Sequence, residues 1–462
     1  MTKLFFLLIF LSFNFNLFAQ TTERCSTPTP PTQWDIIFNQ MVEATEQNQS
    51  NDRTKFNNYI IPVIFHVLYD SQAIGTFPNL DQFQINSQIK VLNDDYAGVG
   101  YNSSKYVNYN GHPPFYDYAK ANNLPYPDTG GVVIANTHIK FILATVDVNG
   151  NILPEAGIDR VSYSQKGWAK PTTFTTKTTF QNYINTIIKP NTIWDATKYL
   201  NVWLTDCSSA IGLLGFATFP NGSGLSGLSG VGTATTDGCW VWTRACGDTG
   251  IVSASYNKGR TLTHESGHYL GLRHVWGDAT CATDYCNDIP QSKQANYANA
   301  TYPFNMGTCP TGSYNNLLNG EMFMNFMDYS DDVAMWMFTN DQLTRMLTAL
   351  ANSPYRNNLT NSANSMPQTP NGIALPIQQT EFNIYPNPTF NNRINISVAN
   401  SNSNGYEIVI SNLVGQQVFT KKINEFDYNS INITLPSLNK GIYFVALINN
   451  ASQKIVKKLL VE

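Results

Sequence analysis

Three of the chain's six histidines fall within sixteen residues, THESGHYLGLRHVWGD (Thr263–Asp278), and their spacing restricts what this region can be. His264 and His268 are four apart, so on an α-helix they project one above the other from one face. Glu265 lies one step round the same turn. Gly271 interrupts the helical run where a residue of positive φ is expected. On an unbroken helix His274 would lie well round the cylinder; with the chain turned at Gly271 it can return to meet the other two. Three neutral imidazoles would leave the fourth tetrahedral position of Zn²⁺ to water, the arrangement of a catalytic rather than a structural site. Glu265 is then the candidate general base for that water. A lone histidine is more often structural. Five specified residues at these intervals favour the metal.

At 462 residues the chain predicts two or three domains. Its net charge of −4 offers no basic face for nucleic acid and no polybasic membrane anchor. The N-terminus, MTKLFFLLIFLSFNFNLFAQ, has Lys3, an apolar core from Leu4 to Leu11 and a small residue, Ala19, before the cut. It reads as a signal peptide over 1–19, so the mature chain is expected outside the cytoplasm, where disulfides persist. Seven cysteines is an odd count. Cys25 stands alone, whereas Cys207, Cys239, Cys246, Cys281, Cys286 and Cys309 surround the histidines and allow up to three bridges of undetermined pairing.

Along the chain, WDIIFNQMVEATEQNQSNDRTKFNN is polar and helix-capable with no obvious core of its own. YIIPVIFHVLYD reads as a buried strand, with His66 a satisfied core histidine. LDQFQINSQIKVLNDDYA reads as a helix on that sheet, and HIKFILATVDV and KYLNVWLTD as further strands. Asn221 to Gly232 is a Gly/Ser-rich loop. The expectation is an α+β chain: a mixed sheet with helices behind it, then a linker (357–379), then an all-β sandwich (380–462) built from NNRINISVANS, GYEIVISNLVGQQVFTKK, NSINITLPS and GIYFVALINN. The sandwich has neither His nor Cys and is not expected to do chemistry.

The zinc stretch resembles the long HExxHxxGxxH signature of the metzincin metallopeptidases, and NFMDYSDD (Asn325–Asp332) resembles their methionine turn. With FTNDQLTRM, GLLGFATFP and the GRTLTHESGH lead-in, the resemblance narrows to the pappalysin and cytophagalysin branch. It implies a metzincin-like catalytic domain over 53–356 and a zinc endopeptidase acting on extracellular proteins. His264, His268 and His274 would be the zinc ligands and Glu265 the base. Tyr329 would hydrogen-bond the oxyanion, and Met327 would support the site by packing.

ERCSTP resembles the family's propeptide motif, implying that Cys25 binds zinc in a latent form within a propeptide over 20–52. Asp332 matches the acid of the pocket that takes the residue after the scissile bond, implying a preference for Arg or Lys there. Self-processing would then fall between Asp52 and Arg53. TDYCNDIP resembles a calcium-binding segment, with Asp284 and Asp288 as candidate ligands. The family's cysteine after the methionine turn is here Ala334, a departure from its bridge pattern; Cys286 or Cys281 with Cys309 is the pairing expected.

YPNP, NLVGQQV and the final GIYFVALINNASQKIVKKLLVE resemble the sorting domain of type IX secretion, implying outer-membrane export machinery as a partner and release or attachment at the cell surface. An immunoglobulin-like adhesive module is the rival reading of this domain. For the whole chain the rivals are a zinc-containing adhesion protein without catalysis and a zinc hydrolase of non-peptide bonds. Glu265 and Tyr329 weigh against the first, the resemblance alone against the second.

Overall fold

The computed structural model describes residues 22–49, 59–101, 134–147, 149–221, 231–300, 309, 321–359, 382–390, 392–398, 406–423, 430–449 and 454–462. The N-terminal apolar segment, the Asp52–Arg53 bond, nearly all of the linker and most of the Gly/Ser loop lie outside them. Among the described residues no helix is long and apolar enough to cross a membrane.

The larger unit is built on a seven-stranded mixed sheet. At its centre is β2 (Tyr59–Tyr69), an apolar strand buried along almost its whole length, as expected for one covered on both faces. One edge of β2 pairs in parallel with β3 (Ile139–Leu143) and then with β4 (Ile158–Ser162), the other with β5 (Leu200–Thr205). Beyond β5 come β7 (Cys239–Trp242), the antiparallel β6 (Leu213–Ala217) and, at the edge, β1 (Glu23–Cys25), parallel to β6. Helix α2 (Gln82–Tyr96) covers the sheet, its start capped by Asp81, which accepts from the Gln84 N–H. His66 is a satisfied core histidine: Nδ1 meets Asp159 at 2.8 Å and Nε2 meets Asn201 at 2.9 Å.

Helix α1 (Thr32–Gln49) does acquire a core. Trp34, Phe38 and Val42 pack with Phe219, Val231 and Ala349, the last on the C-terminal helix Asn340–Asn352. The C-terminal unit is a sandwich of a four-stranded sheet, β11-β10-β13-β14, and a three-stranded one, β12-β9-β8. The expected strands are present as β9 (Arg393–Val398), β10 (Tyr406–Asn412), β11 (Gln417–Ile423), β12 (Ser430–Thr434) and β13 (Gly441–Asn449). The structure adds β8 (Phe382–Tyr385) and β14 (Lys454–Val461). This unit meets α2 through Asn86, whose amide donates to Asn395 and Asn432.

Candidate metal centre and substrate cleft

The helix carrying the histidines, α3 in this core (Arg260–Tyr269), is buried at every position and begins after Gly259 in the left-handed conformation. It stops at Leu270, and Gly271 then takes φ +92°, the turn that its sequence position predicts. A Cβ at Gly271 would run into the Phe38 ring of α1. The turn brings His274 back. His268 Nε2 lies 3.2 Å from His264 Nε2 and 3.0 Å from His274 Nε2.

The opposite nitrogens fix the tautomers. His264 Nδ1 faces the Phe326 carbonyl at 2.7 Å and His268 Nδ1 the Leu272 carbonyl at 2.8 Å; carbonyls only accept, so these rings donate there. His274 Nδ1 pairs with Asp278. Three Nε2 lone pairs therefore face one another with no proton between them, a geometry that calls for a cation. Burial first, then the neighbouring imidazoles, holds His264 and His268 well below the usual pKa and keeps them neutral. The Cys25 thiol completes the group, and the four ligand atoms all lie within 4.8 Å of one another. Nitrogen and sulfur donors in this number suit zinc.

Glu265 is fully buried beside this group. Its Oε2 accepts from Thr27 Oγ1 at 2.9 Å and lies 3.4 Å from Cys25 Sγ, while Oε1 has no hydrogen-bond partner. Burial pushes its pKa up to about 8. Gly215 on β6 makes the room, since a Cβ there would overlap the Glu265 carboxylate. Tyr329 donates its hydroxyl to the Cys25 carbonyl at 2.8 Å. Met327 is buried beneath the helix, its sulfur against Gly267, as a packing support would be.

Asp332 is also buried, and its oxygens are taken. Oδ1 receives Arg24 Nη2 at 2.7 Å; Oδ2 receives the N–H groups of Lys258 at 2.9 Å and Arg260 at 3.3 Å, at the start of the histidine helix. Arg24 Nη2 also donates to the Ser330 carbonyl.

The peptidase family described as pregnancy-associated plasma protein-A matches residues 182–351, and the secretion system C-terminal sorting domain matches 383–462. The chain carries a pappalysin metallopeptidase domain and a C-terminal sorting domain. An extracellular metalloprotease of Arthroderma otae is 35% identical over 153 residues, covering 32% of this chain and 50% of that protein. Another from Verticillium alfalfae is 32% identical over 192 residues, covering 41% and 58%. The chain thus spans about half the length of the curated relatives it matches. Among solved structures, a Tannerella forsythia promirolysin mutant is 27% identical with a TM-score of 0.52, covering 75% of this chain and 99% of that one. Mature mirolysin in complex with a cleaved peptide is 29% identical with a TM-score of 0.50, covering 67% and 98%.

Elsewhere in the metallopeptidase domain, Cys281 bridges Cys309, which settles the pairing left open between Cys281 and Cys286. Cys207, Cys239, Cys246 and Cys286 are free, so among the described residues one bridge forms rather than three. The two calcium candidates differ. Asp288 accepts from Thr339 Oγ1 and from the Asp341 N–H, holding the start of the helix Asn340–Asn352, whereas Asp284 keeps Oδ2 without a hydrogen-bond partner. Three residues of the site had no role in the sequence reading. Arg24 reaches Asp332, and Thr27 bonds both Glu265 and, through its N–H, the Cys25 sulfur at 3.2 Å. Asp278 orients His274; against the effect of burial, His274 and then Arg273 hold its carboxyl below the usual range. Arg24 and Thr27 flank the unpaired cysteine, and that adjacency was the available signal.

Proposed function

We propose that the chain is a secreted zinc endopeptidase, made as a latent precursor, that cuts extracellular proteins before Arg or Lys. The observation that carries this is the convergence of three unprotonated Nε2 atoms beside an unpartnered Glu265 oxygen, with Cys25 closing the group. Zinc held by His264, His268 and His274 would lower the pKa of its water to about 7 and polarise the scissile carbonyl. Glu265 would take that water's proton and return it to the leaving amine. Tyr329, whose hydroxyl now bonds the Cys25 carbonyl, is free after the pro-segment leaves to donate to the substrate's oxygen as charge develops there. Arg24 on Asp332 supports the basic preference: a guanidinium is already seated where the substrate's would be.

Glu265→Ala should keep its zinc and lose proteolysis, and His268→Ala should lose both, read by metal analysis and peptide cleavage. A Glu265→Ala enzyme retaining more than a few per cent of wild-type activity would overturn the role of Glu265. Its precursor should also stay uncut, whereas the wild type should show Arg53 as its new N-terminus by sequencing. Specificity is better tested by Asp332→Asn than by alanine, because Asp332 also holds the start of the histidine helix. The mature variant should lose its preference for Arg and Lys without losing fold. We also propose calcium at Asp284, whose unpartnered oxygen supports it; a rise in melting temperature on adding calcium, absent in Asp284→Asn, would bear it out.

A further inference from the structure

A cavity lies beside β6, at the outer end of the N-terminal segment that covers the metal group. In the precursor β1 lies along β6, with Cys25 opposite Gly215 and Glu23 opposite Leu213. The Glu23 N–H donates to the Gly212 carbonyl at 2.6 Å, and the Ser26 N–H to the Gly215 carbonyl at 3.1 Å. When this segment departs, the edge of β6 is open to another extended chain, the usual way a peptide is added to a sheet. Successive places along the groove are therefore marked by the pro-segment itself. A substrate lying antiparallel to β6, opposite in direction to the parallel β1, would meet these places in reverse: Cys25 marks the metal, Arg24 the place at Asp332 for the residue after the bond, Glu23 the next and Thr22 the one after.

Glu23 turns its side chain outward to Lys177. Thr22 instead borders a cavity of about 340 Å³ whose lining includes Asp206, Cys207, Ser208, Ser209, Leu213 and Trp242. Its floor is apolar: Leu213 is buried, and Trp242 and Cys207 pack against the same cluster around Trp240. Asp206 also lines it. Its Oδ1 accepts from the Cys207 N–H at 2.9 Å and the Trp242 indole at 3.1 Å, which pins the ring as a wall. Recesses of this size with an apolar lining and a few fixed polar groups suit an apolar side chain.

We propose that this cavity is a further substrate subsite, taking Leu, Ile, Met or Phe at the third residue after the scissile bond. The proposal rests on the endopeptidase reading above, including Asp332 at the place for the residue directly after the bond. Mature enzyme is tested with peptides that hold Arg after the cleaved bond and vary the next two positions. Leu or Phe at the third position should raise kcat/KM roughly tenfold over Gly or Asp, the scale of discrimination by an apolar pocket. Cys207 is only partly buried on the wall, so the fold should accept change there. Cys207→Asp should shift the third-position preference towards Lys, Cys207→Trp should erase it by filling the space, and Cys207→Ser should leave it in place. No selection at the third position, selection for basic residues in the wild type, or an unaltered profile in both Cys207→Asp and Cys207→Trp would overturn the subsite while leaving the endopeptidase reading standing. If no peptide is cut at all, the endopeptidase reading fails and the subsite with it.

Discussion

The N-terminal segment that covers the metal group is held in two ways. Residues 23–27 are held by polar contacts: Arg24 to Asp332, Cys25 in the metal group, Thr27 to Glu265, and Tyr329 to the Cys25 carbonyl. Residues 32–49 are held mainly by burial, with Trp34, Phe38 and Val42 in an apolar cluster and Trp34 stacked on Phe38 at 4.5 Å, alongside one buried ion pair from Asp35 to Arg273. Buried polar contacts are directional and fail when one partner goes. Apolar burial is graded and tolerates local loss. The first half should decide whether the site is blocked, the second how long the segment stays.

The largest effect should come from Cys25→Ala, since on the proposed function Cys25 would bind zinc as a soft thiolate and be the strongest single tie in the segment. The uncut precursor should be active without a lag, at a rate approaching that of the processed enzyme. Next comes Trp34→Ala, a large-to-small change in a closed cluster, which should cost about 3–5 kcal/mol. Limited proteolysis should then nick α1, while the precursor remains inactive. If Trp34→Ala releases activity as fully as Cys25→Ala, the two halves are one unit and the comparison breaks. Arg24→Gln should cost about 1–3 kcal/mol, because Asp332 keeps its two main-chain donors. A leak of activity roughly tenfold above the wild-type precursor is expected, with α1 still resistant to protease.

What the sequence made legible was local. His264, Glu265 and His268 sit within one helical turn, and Gly271 needed only its own φ to be recognised. Strand β2 is long enough for its composition to declare it. The misses have other causes. β6, β7 and β4 run four or five residues, too short for a period to show. Arg24 and Asp332 are 308 positions apart, and Thr27 and Glu265 are 238 apart, so no window of sequence contains either contact. The helix at 32–49 was visible, but its apolar face, three residues among many polar ones, takes meaning only from Phe219 and Ala349 across the fold.

The smallest effect concerns the strand on which the polar half lies. Lys189 is fully buried behind β6, its ammonium 4.9 Å from the Phe216 ring and 5.0 Å from the Trp203 ring, with no hydrogen-bond partner. Burial lowers its pKa to about 8 from an ordinary 10.5, against the attraction of Cys239, Asp237 and Glu265. Between those two values the unfolded chain binds the proton and the folded chain has given it up, so raising pH favours folding. Stability should therefore climb from about pH 8 towards 10.5, by about 1–3 kcal/mol from this group once the two ring contacts are set against its burial. Lys189→Met keeps the stem and removes the charge. Denaturant midpoints measured across that range should be higher for the variant at pH 7 and should lack the lysine's share of the climb. The contacts of Trp34, Phe38 and Val42 carry no charge and should not follow pH in this way. If the variant's midpoints rise with pH as steeply as those of the wild type, Lys189 is not the group responsible, and the floor under the polar half does not differ from the apolar half in this respect.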